Sequence, residues 1–352
     1  MTIKLQEKSL ALLKSGLNLL AFSGGIDSTA LFFLLLEKRI DFDLAIVDYA
    51  RRAQSKEEVA YAGALAKKHK KRLYLLCVED LDSKEGLYSN FQHKARGLRY
   101  DFFESLIQKH GYNNLVLAQH LDDRLEWFFM QFSKGAGLNS LLGFNEVEPS
   151  YAGNRIYNRL RPLSHIRKAD LLAYNNEKGL HYFIDSSNDS RDYERNRIRP
   201  LLQALFEPCK TAGLLNSLHY LMHERDRLYP RALVCMDDCL LYCQRGAEAS
   251  LDLQRVDSMA KRLGYLLSHK QKAQISKLLE SKAAPITPKD CLMGGMLIVG
   301  LNEDLLFVGK NEAPGDEVRI PKKLREAYRL ARIPKKLRRL LYLKGLSTPG
   351  FV

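Results

Sequence analysis

Leu17-Asn18-Leu19-Leu20-Ala21-Phe22-Ser23-Gly24-Gly25-Ile26-Asp27-Ser28-Thr29 is an apolar run that breaks on two glycines and restarts as the head of a second apolar segment. Leu17–Phe22 predicts a strand and Thr29–Lys38 a helix, with Ser23–Ser28 as the loop between them. Adjacent glycines let a backbone approach an anion closely. Amides at a helix N-terminus direct partial positive charge toward it. Ser23, Ser28 and Thr29 add hydroxyl donors, and Asp27 supplies a carboxylate able to hold a magnesium ion between phosphates. Ser23, Gly24, Gly25, Ile26, Asp27 and Ser28 are therefore the candidate phosphate-binding residues. The loop lacks both the Gly-Lys-Ser/Thr of a Walker A sequence and the GxGxxG spacing of a dinucleotide fold.

The same alternation continues outward from this loop. Asp43–Val47, Arg72–Val78 and Leu115–Ala118 predict strands; Ser55–Lys70, Phe91–His110 and Asp122–Ser133 predict helices. Strands alternating with helices form βαβ units and hence a parallel sheet covered on both faces. The strand runs LNLLAF, LAIV and LVLA carry almost no polar residue, as expected of strands buried on both sides. The predicted fold is α/β: a parallel, doubly wound sheet in residues 1–205, a helical connector over 206–250, a small α+β domain over 251–312, and a basic tail over 313–352.

Within that second half, Asn216–Cys243 predicts a long helix that Pro230 must kink or split. Cys235, Cys239 and Cys243 would then share one helix face, a spacing that suits a buried stripe better than a metal site. His219 and His223 lack a third ligand and read as packing or surface residues. Ser258–Ser281 predicts a lysine-rich helix, and Gly295–Gly309 a hairpin around Asn302-Glu303. The hexapeptide IPKKLR occurs at Ile320 and again at Ile333, predicting two short basic helices with proline near each start.

Four further strings sit in order along the chain: Asn90–Tyr100 with Arg96 and Arg99, His120-Leu121-Asp122-Asp123-Arg124-Leu125-Glu126, Arg161-Pro162-Leu163, and Asp185–Arg199. The Ser23–Ser28 loop resembles the signature of PP-loop ATP pyrophosphatases. With the four strings, the chain resembles the tRNA(Ile)-lysidine synthetases over roughly residues 15–200, and less closely over 250–310. It departs from their pattern at Arg124, where Gln is usual, at Trp127, where Thr is usual, and at Tyr49, where His is common.

That resemblance implies a reaction, its cofactors and its partners. The expected activity is ATP-dependent transfer of AMP to the C2 oxygen of the wobble cytidine in the CAU-anticodon isoleucine tRNA. Lysine then attacks C2 through its ε-amine, releasing AMP. ATP and magnesium are the expected cofactors, L-lysine and that tRNA the expected partners, and a homodimer one option for assembly. Asp27, Asp122 and Asp123 are the expected catalytic carboxylates, with Asp27 and Asp123 as metal ligands. One of these carboxylates could also take the proton from the incoming ammonium, and the sequence does not choose between them. Arg96, Arg195, Arg197, Arg199, Lys322, Lys323, Lys335 and Lys336 are candidate RNA contacts; for Arg195, Arg197 and Arg199 a salt-bridge cluster with Asp189 and Asp192 is the structural alternative.

Charge supports a polyanionic partner. Of the net +14, residues 313–352 carry a local +8, from 11 Lys/Arg against 3 Asp/Glu. No apolar run reaches the roughly 18 residues of a membrane span. No signal-peptide layout begins the chain, and six cysteines form no disulfide framework, so a cytoplasmic, non-membrane protein is expected. A PP-loop thiolase generally needs a CxxC pair, which is absent. A noncatalytic RNA-binding protein would have no need of an intact phosphate loop.

Overall fold

A computed structural model describes residues 3–49, 54–78, 91–152, 155–184, 194–206, 209–229, 235–237, 240–280, 288–311, 319–343 and 345, with the side chains of 91–93, 194–197, 203 and 235–237 excepted. The chain forms two compact units, Met1–Arg225 and Asp226–Val352.

The first unit follows the alternation α1 (Glu7–Ser15), β1 (Asn18–Ala21), α2 (Ile26–Glu37), β2 (Asp43–Asp48), α3 (Gln54–Lys68), β3 (Leu73–Cys77), α4 (Phe91–His110), β4 (Asn114–Val116) and α5 (Leu121–Ser133). It continues through α6 (Leu138–Leu141), β5 (Val147–Ala152), β6 (Arg155–Leu160), α7 (Lys168–Glu177), α8 (Glu194–Phe206) and α9 (Thr211–Leu228). The six strands lie in the order β3-β2-β1-β4-β6-β5, all parallel except the edge strand β5. Pro149 sits in β5, where the missing amide costs no ladder bond on the open side.

Successive residues of β1 point to opposite faces and join separate cores. Leu20 packs with Phe22, Leu31, Phe32, Leu44 and Leu171; Leu19 packs with Ala45, Phe103, Ile107 and Leu115. This two-sided burial is why the strands read as unbroken apolar runs. Their amino ends are laced by an asparagine ladder: Asn158 Nδ2 donates to Asn114 Oδ1 at 3.0 Å, and Asn114 Nδ2 to Asn18 Oδ1 at 2.9 Å. β1 and β4 are neighbours in space but not in sequence, so the connections leaving their carboxyl ends diverge. Such a switch point opens a ligand crevice in sheets of this kind.

The second unit is built on an antiparallel sheet of order β7-β8-β11-β10-β9. Its elements are β7 (Cys235–Asp237), β8 (Leu240–Gln244), α10 (Ala249–Arg262), α11 (His269–Glu280), β9 (Lys289–Met293), β10 (Leu297–Leu301), β11 (Leu305–Lys310), α12 (Lys322–Leu330) and α13 (Lys335–Leu343). The expected helix Asn216–Cys243 is helical only to Leu228, two residues before Pro230. Cys235–Asp237 and Leu240–Gln244 are strands, so the expected helix does not run on to Cys243. The cysteine stripe dissolves with it: Cys243 is a buried free thiol in β8, Cys235 starts β7, and Cys239 lies outside the described residues. The Ser258–Ser281 helix is two helices, parted at Gly264, whose φ is +79°.

Residues 319–343 form a layer of this unit. Tyr328, Ile333, Leu337, Leu340 and Leu341 are buried against Leu240, Ile298 and Phe307. α13 approaches the sheet so closely that a Cβ on Gly300 would stand 2.8 Å from Pro334, and one on Gly309 2.6 Å from Leu340.

Candidate active site

The loop after β1 is braced by its own hydroxyls. Ser28 Oγ donates to the Gly25 carbonyl at 3.2 Å, accepts from the Ser23 amide at 3.3 Å, and lies 3.1 Å from Ser23 Oγ. Thr29 is fully buried and donates to the Gly24 carbonyl at 3.3 Å, so its hydroxyl holds the loop from beneath. Gly24 adopts φ +74°, the left-handed region that favours glycine, and a Cβ there would meet the Phe183 ring at 3.2 Å. The Phe183 amide in turn donates to the Gly24 carbonyl at 2.9 Å. Phe183 itself is wedged among Tyr61 and His181, with ring centroids 5.8 and 4.8 Å away. Gly25 is the N-cap of α2, and no side chain caps that first turn. An anion is the partner such amides lack.

Facing the loop is the N-terminus of α5. His120, 3% exposed, caps this helix: its Nδ1 accepts from the Asp123 amide at 3.3 Å, while Asp123 Oδ2 accepts from the His120 amide at 3.1 Å. His120 Nε2 stands 3.6 Å from Asp27 Oδ2 and 3.5 Å from Asp123 Oδ2. Loop and helix terminus thus meet through one imidazole. Burial alone would lower the pKa of His120, but the carboxylates of Asp123, Asp27 and Asp122 outweigh it and push it up to about 9. Cap and charge compete, because an imidazolium has no lone pair for the Asp123 amide. The cap geometry is that of the neutral ring with its proton on Nε2, and neutralising the carboxylates would favour that form.

The three aspartates are not equivalent. Asp122 Oδ1 accepts from Arg167 Nε at 3.0 Å, and its Oδ2 accepts from the Lys168 amide at 2.7 Å, capping α7. Its carboxylate is committed to the fold. Asp27 Oδ1, in contrast, is buried with no hydrogen-bond partner. A buried orphan oxygen costs about 1–3 kcal/mol unless something satisfies it. Among the described residues no group of three His, Cys, Asp or Glu forms a metal cage. Magnesium needs no such cage, since it takes one or two carboxylates together with waters and phosphates.

The arginines divide in the same way. Arg199 Nε donates to Glu126 Oε1 at 2.7 Å, joining α8 to α5. The alternative partners Asp189 and Asp192, and the side chains of Arg195 and Arg197, lie outside the described residues. Arg96 is exposed, with its guanidinium 5.0 Å above the Tyr100 ring. Lys322, Lys323, Lys335 and Lys336 are exposed on α12 and α13, Lys336 pairing with Asp290 at 2.6 Å. His219 and His223 lie on the exposed side of α9. Sequence reasoning quoted His120 and Arg161 without giving either a task, and it passed over Phe183 and Arg167.

Residues 2–205 match the family described as a PP-loop domain, an ATP-using fold. A tRNA(Ile)-lysidine synthase from Wolinella succinogenes is 40% identical over 346 residues, covering 98% of each chain. The chain belongs to the tRNA(Ile)-lysidine synthase family. A second such synthase, from Helicobacter pylori, is 38% identical across 96% of this chain and 93% of its own. A solved U34-tRNA thiolase from Methanococcus maripaludis superposes with a TM-score of 0.51 at 18% identity, covering 61% of this chain and 76% of that one, a likeness of fold. The departures from the lysidine synthase pattern are absorbed locally. Trp127 Nε1 donates to the Ser140 carbonyl at 2.8 Å and its ring covers Gly143. Tyr49 donates to the Ala95 carbonyl at 2.8 Å.

Proposed function

We propose that this chain converts the wobble cytidine of isoleucine tRNA to lysidine, using ATP and L-lysine. The observation that carries the reading is the intact Ser23–Ser28 loop meeting Asp27, His120 and Asp123 at the sheet's switch point, in a chain that lysidine synthases match from end to end.

The C2 oxygen of cytosine is a poor leaving group. Bond formation between that oxygen and the α-phosphorus of ATP, with loss of pyrophosphate, makes it a good one. The lysine ε-amine then attacks C2, and the C2–O bond breaks to release AMP. The first-turn amides of α2 hold the β- and γ-phosphates, with Ser23, exposed at the loop's mouth, as a hydroxyl donor. Asp27 and Asp123 are the residues that would hold magnesium, and the orphaned Asp27 Oδ1 is what supports its place there. Bound there, the ion would offset the triphosphate charge and polarise the bond being broken. His120 keeps the two carboxylates apart and fixed. Asp122 positions α7 through Lys168 and takes no direct part. The ε-ammonium, with an ordinary pKa near 10.4, must lose a proton before it attacks, and a carboxylate of this cluster is the acceptor.

The basic face of α12 and α13, with Lys322, Lys323, Lys335 and Lys336, is assigned to the tRNA backbone. Withholding lysine tests the order of events. With ATP labelled at the α-phosphate, label is expected to accumulate on tRNA(Ile) and to be discharged as AMP when lysine is added. Absence of any lysine-independent label on the tRNA would refute the adenylate step.

A further inference from the structure

Trp127 is the one tryptophan of the chain, and it is 43% exposed one helical turn beyond Asp123 on α5. Residues four apart lie on the same helix face, with about 6 Å between their Cβ atoms. Arg124, Leu125 and Glu126 between them are buried, so the open face of this helix leads from the aspartate to the indole. Further along the same face Lys134 is also exposed.

An exposed side chain ordinarily changes rotamer freely. This one is held. Its Nε1 donates to the Ser140 carbonyl at 2.8 Å. Gly143, at φ +64°, gives it a seat: a Cβ there would stand 2.7 Å from Cδ1 and 3.1 Å from both Cγ and Nε1. All three atoms belong to the five-membered ring, so that edge is anchored while the residue as a whole stays nearly half open. The rotamer freedom that a partner would otherwise have to remove is already lost in folding. Such a ring is a platform for a flat partner. Nucleobases stack on aromatic side chains through their faces, whatever their hydrogen-bonding edges. A base taken out of its own stack needs a new surface in place of the neighbours it leaves.

We propose that Trp127 stacks on the wobble cytosine once that base leaves the anticodon stack, and holds it beside the Asp27–His120–Asp123 cluster. The inference rests on the lysidine reading above. Stacking uses the face of the cytosine, so the edge that carries the C2 oxygen stays free for the reaction. The threonine usual at this position has no ring, which makes the contact a property of this chain.

A single tryptophan makes the test direct, because a base stacked on it quenches its emission. The full-length protein is saturated with α,β-methylene-ATP, which cannot pass on AMP. It is then titrated with CAU-anticodon isoleucine tRNA carrying either cytidine or an abasic nucleotide at the wobble position, with filter binding to show that each tRNA is bound. Quenching is expected with the cytidine tRNA and not with the abasic one. Equal quenching by both, or none by the bound cytidine tRNA, would overturn the proposal. So would quenching by the ATP analogue or by L-lysine alone, which would give the ring to another ligand. Variants separate the ring from its anchor. Trp127→Ala should raise the tRNA KM about 5- to 100-fold, the range of one base–aromatic stack, with ATP binding unchanged. Trp127→Phe keeps a stacking ring but loses the bond to Ser140, and should recover most of that loss. A folded phenylalanine variant as impaired as the alanine one would make Trp127 a structural brace and refute the stacking role. A wild-type protein that bound neither the tRNA nor the ATP analogue would instead remove the lysidine reading on which the proposal stands.

Discussion

Asp27 and Asp122 are both carboxylates at helix N-termini, and their surroundings give them opposite tasks. Asp122 has each oxygen engaged by Arg167 or the Lys168 amide, whereas Asp27 leaves a buried oxygen unsatisfied. Asp27→Ala is therefore expected to abolish AMP transfer while leaving the melting temperature unchanged or slightly raised, since an orphan acceptor is removed. Pyrophosphate release at wild-type rates by that variant would contradict the role. The neighbouring pair separates in the same way. Asp123→Asn should remove most activity at small cost in stability. Asp122→Asn should lower unfolding free energy by about 1–3 kcal/mol, the value of charged hydrogen bonds to a buried partner, with activity following the folded fraction. Denaturant titration and single-turnover adenylation on both variants check the split. The sequence shows two adjacent aspartates and cannot distinguish them. Which one is spent on structure depends on α7, whose first amide comes from a residue 46 positions away.

At the scale of elements, strand, loop and helix around Ser23 are legible because each local choice agrees: an apolar strand, glycines at the turn, an apolar helix. Gly24 carries the strictest demand. Gly24→Ala forces a Cβ into left-handed backbone and against Phe183, and is expected to cost about 1–3 kcal/mol and to weaken ATP binding. An alanine variant with wild-type stability and ATP affinity would show that the loop can flip. β7 and β8 were not legible for the opposite reason. Leu240 and Leu241 face separate cores, so both positions are apolar and the period of two that marks a strand is erased. The cysteines at four-residue spacing then imitate a helix. β5 and β6 went unseen because Pro149 and the polar residues of RIYNRL hide an edge hairpin.

At the scale of the whole chain, the C-terminal charge was visible and its architecture was not. Counting lysines and arginines finds +8 in residues 313–352, but the apolar positions Tyr328, Ile333, Leu337 and Leu340 tie α12 and α13 to the second sheet. Deletion of this segment would expose that sheet, so charge removal is the cleaner probe. Replacing Lys322, Lys323 and Lys335 with Gln is expected to weaken tRNA binding, to lower the slope of log Kd against log salt by up to about three, and to spare ATP binding. Unchanged salt slopes would move the RNA surface elsewhere. The chemistry itself is tested most directly by incubating the purified chain with ATP, L-lysine and CAU-anticodon isoleucine tRNA, digesting the tRNA, and weighing its nucleosides. The expected result is lysidine in place of the wobble cytidine, with one AMP and one pyrophosphate per lysidine; an unmodified cytidine under conditions where the protein binds both ATP and tRNA would contradict it.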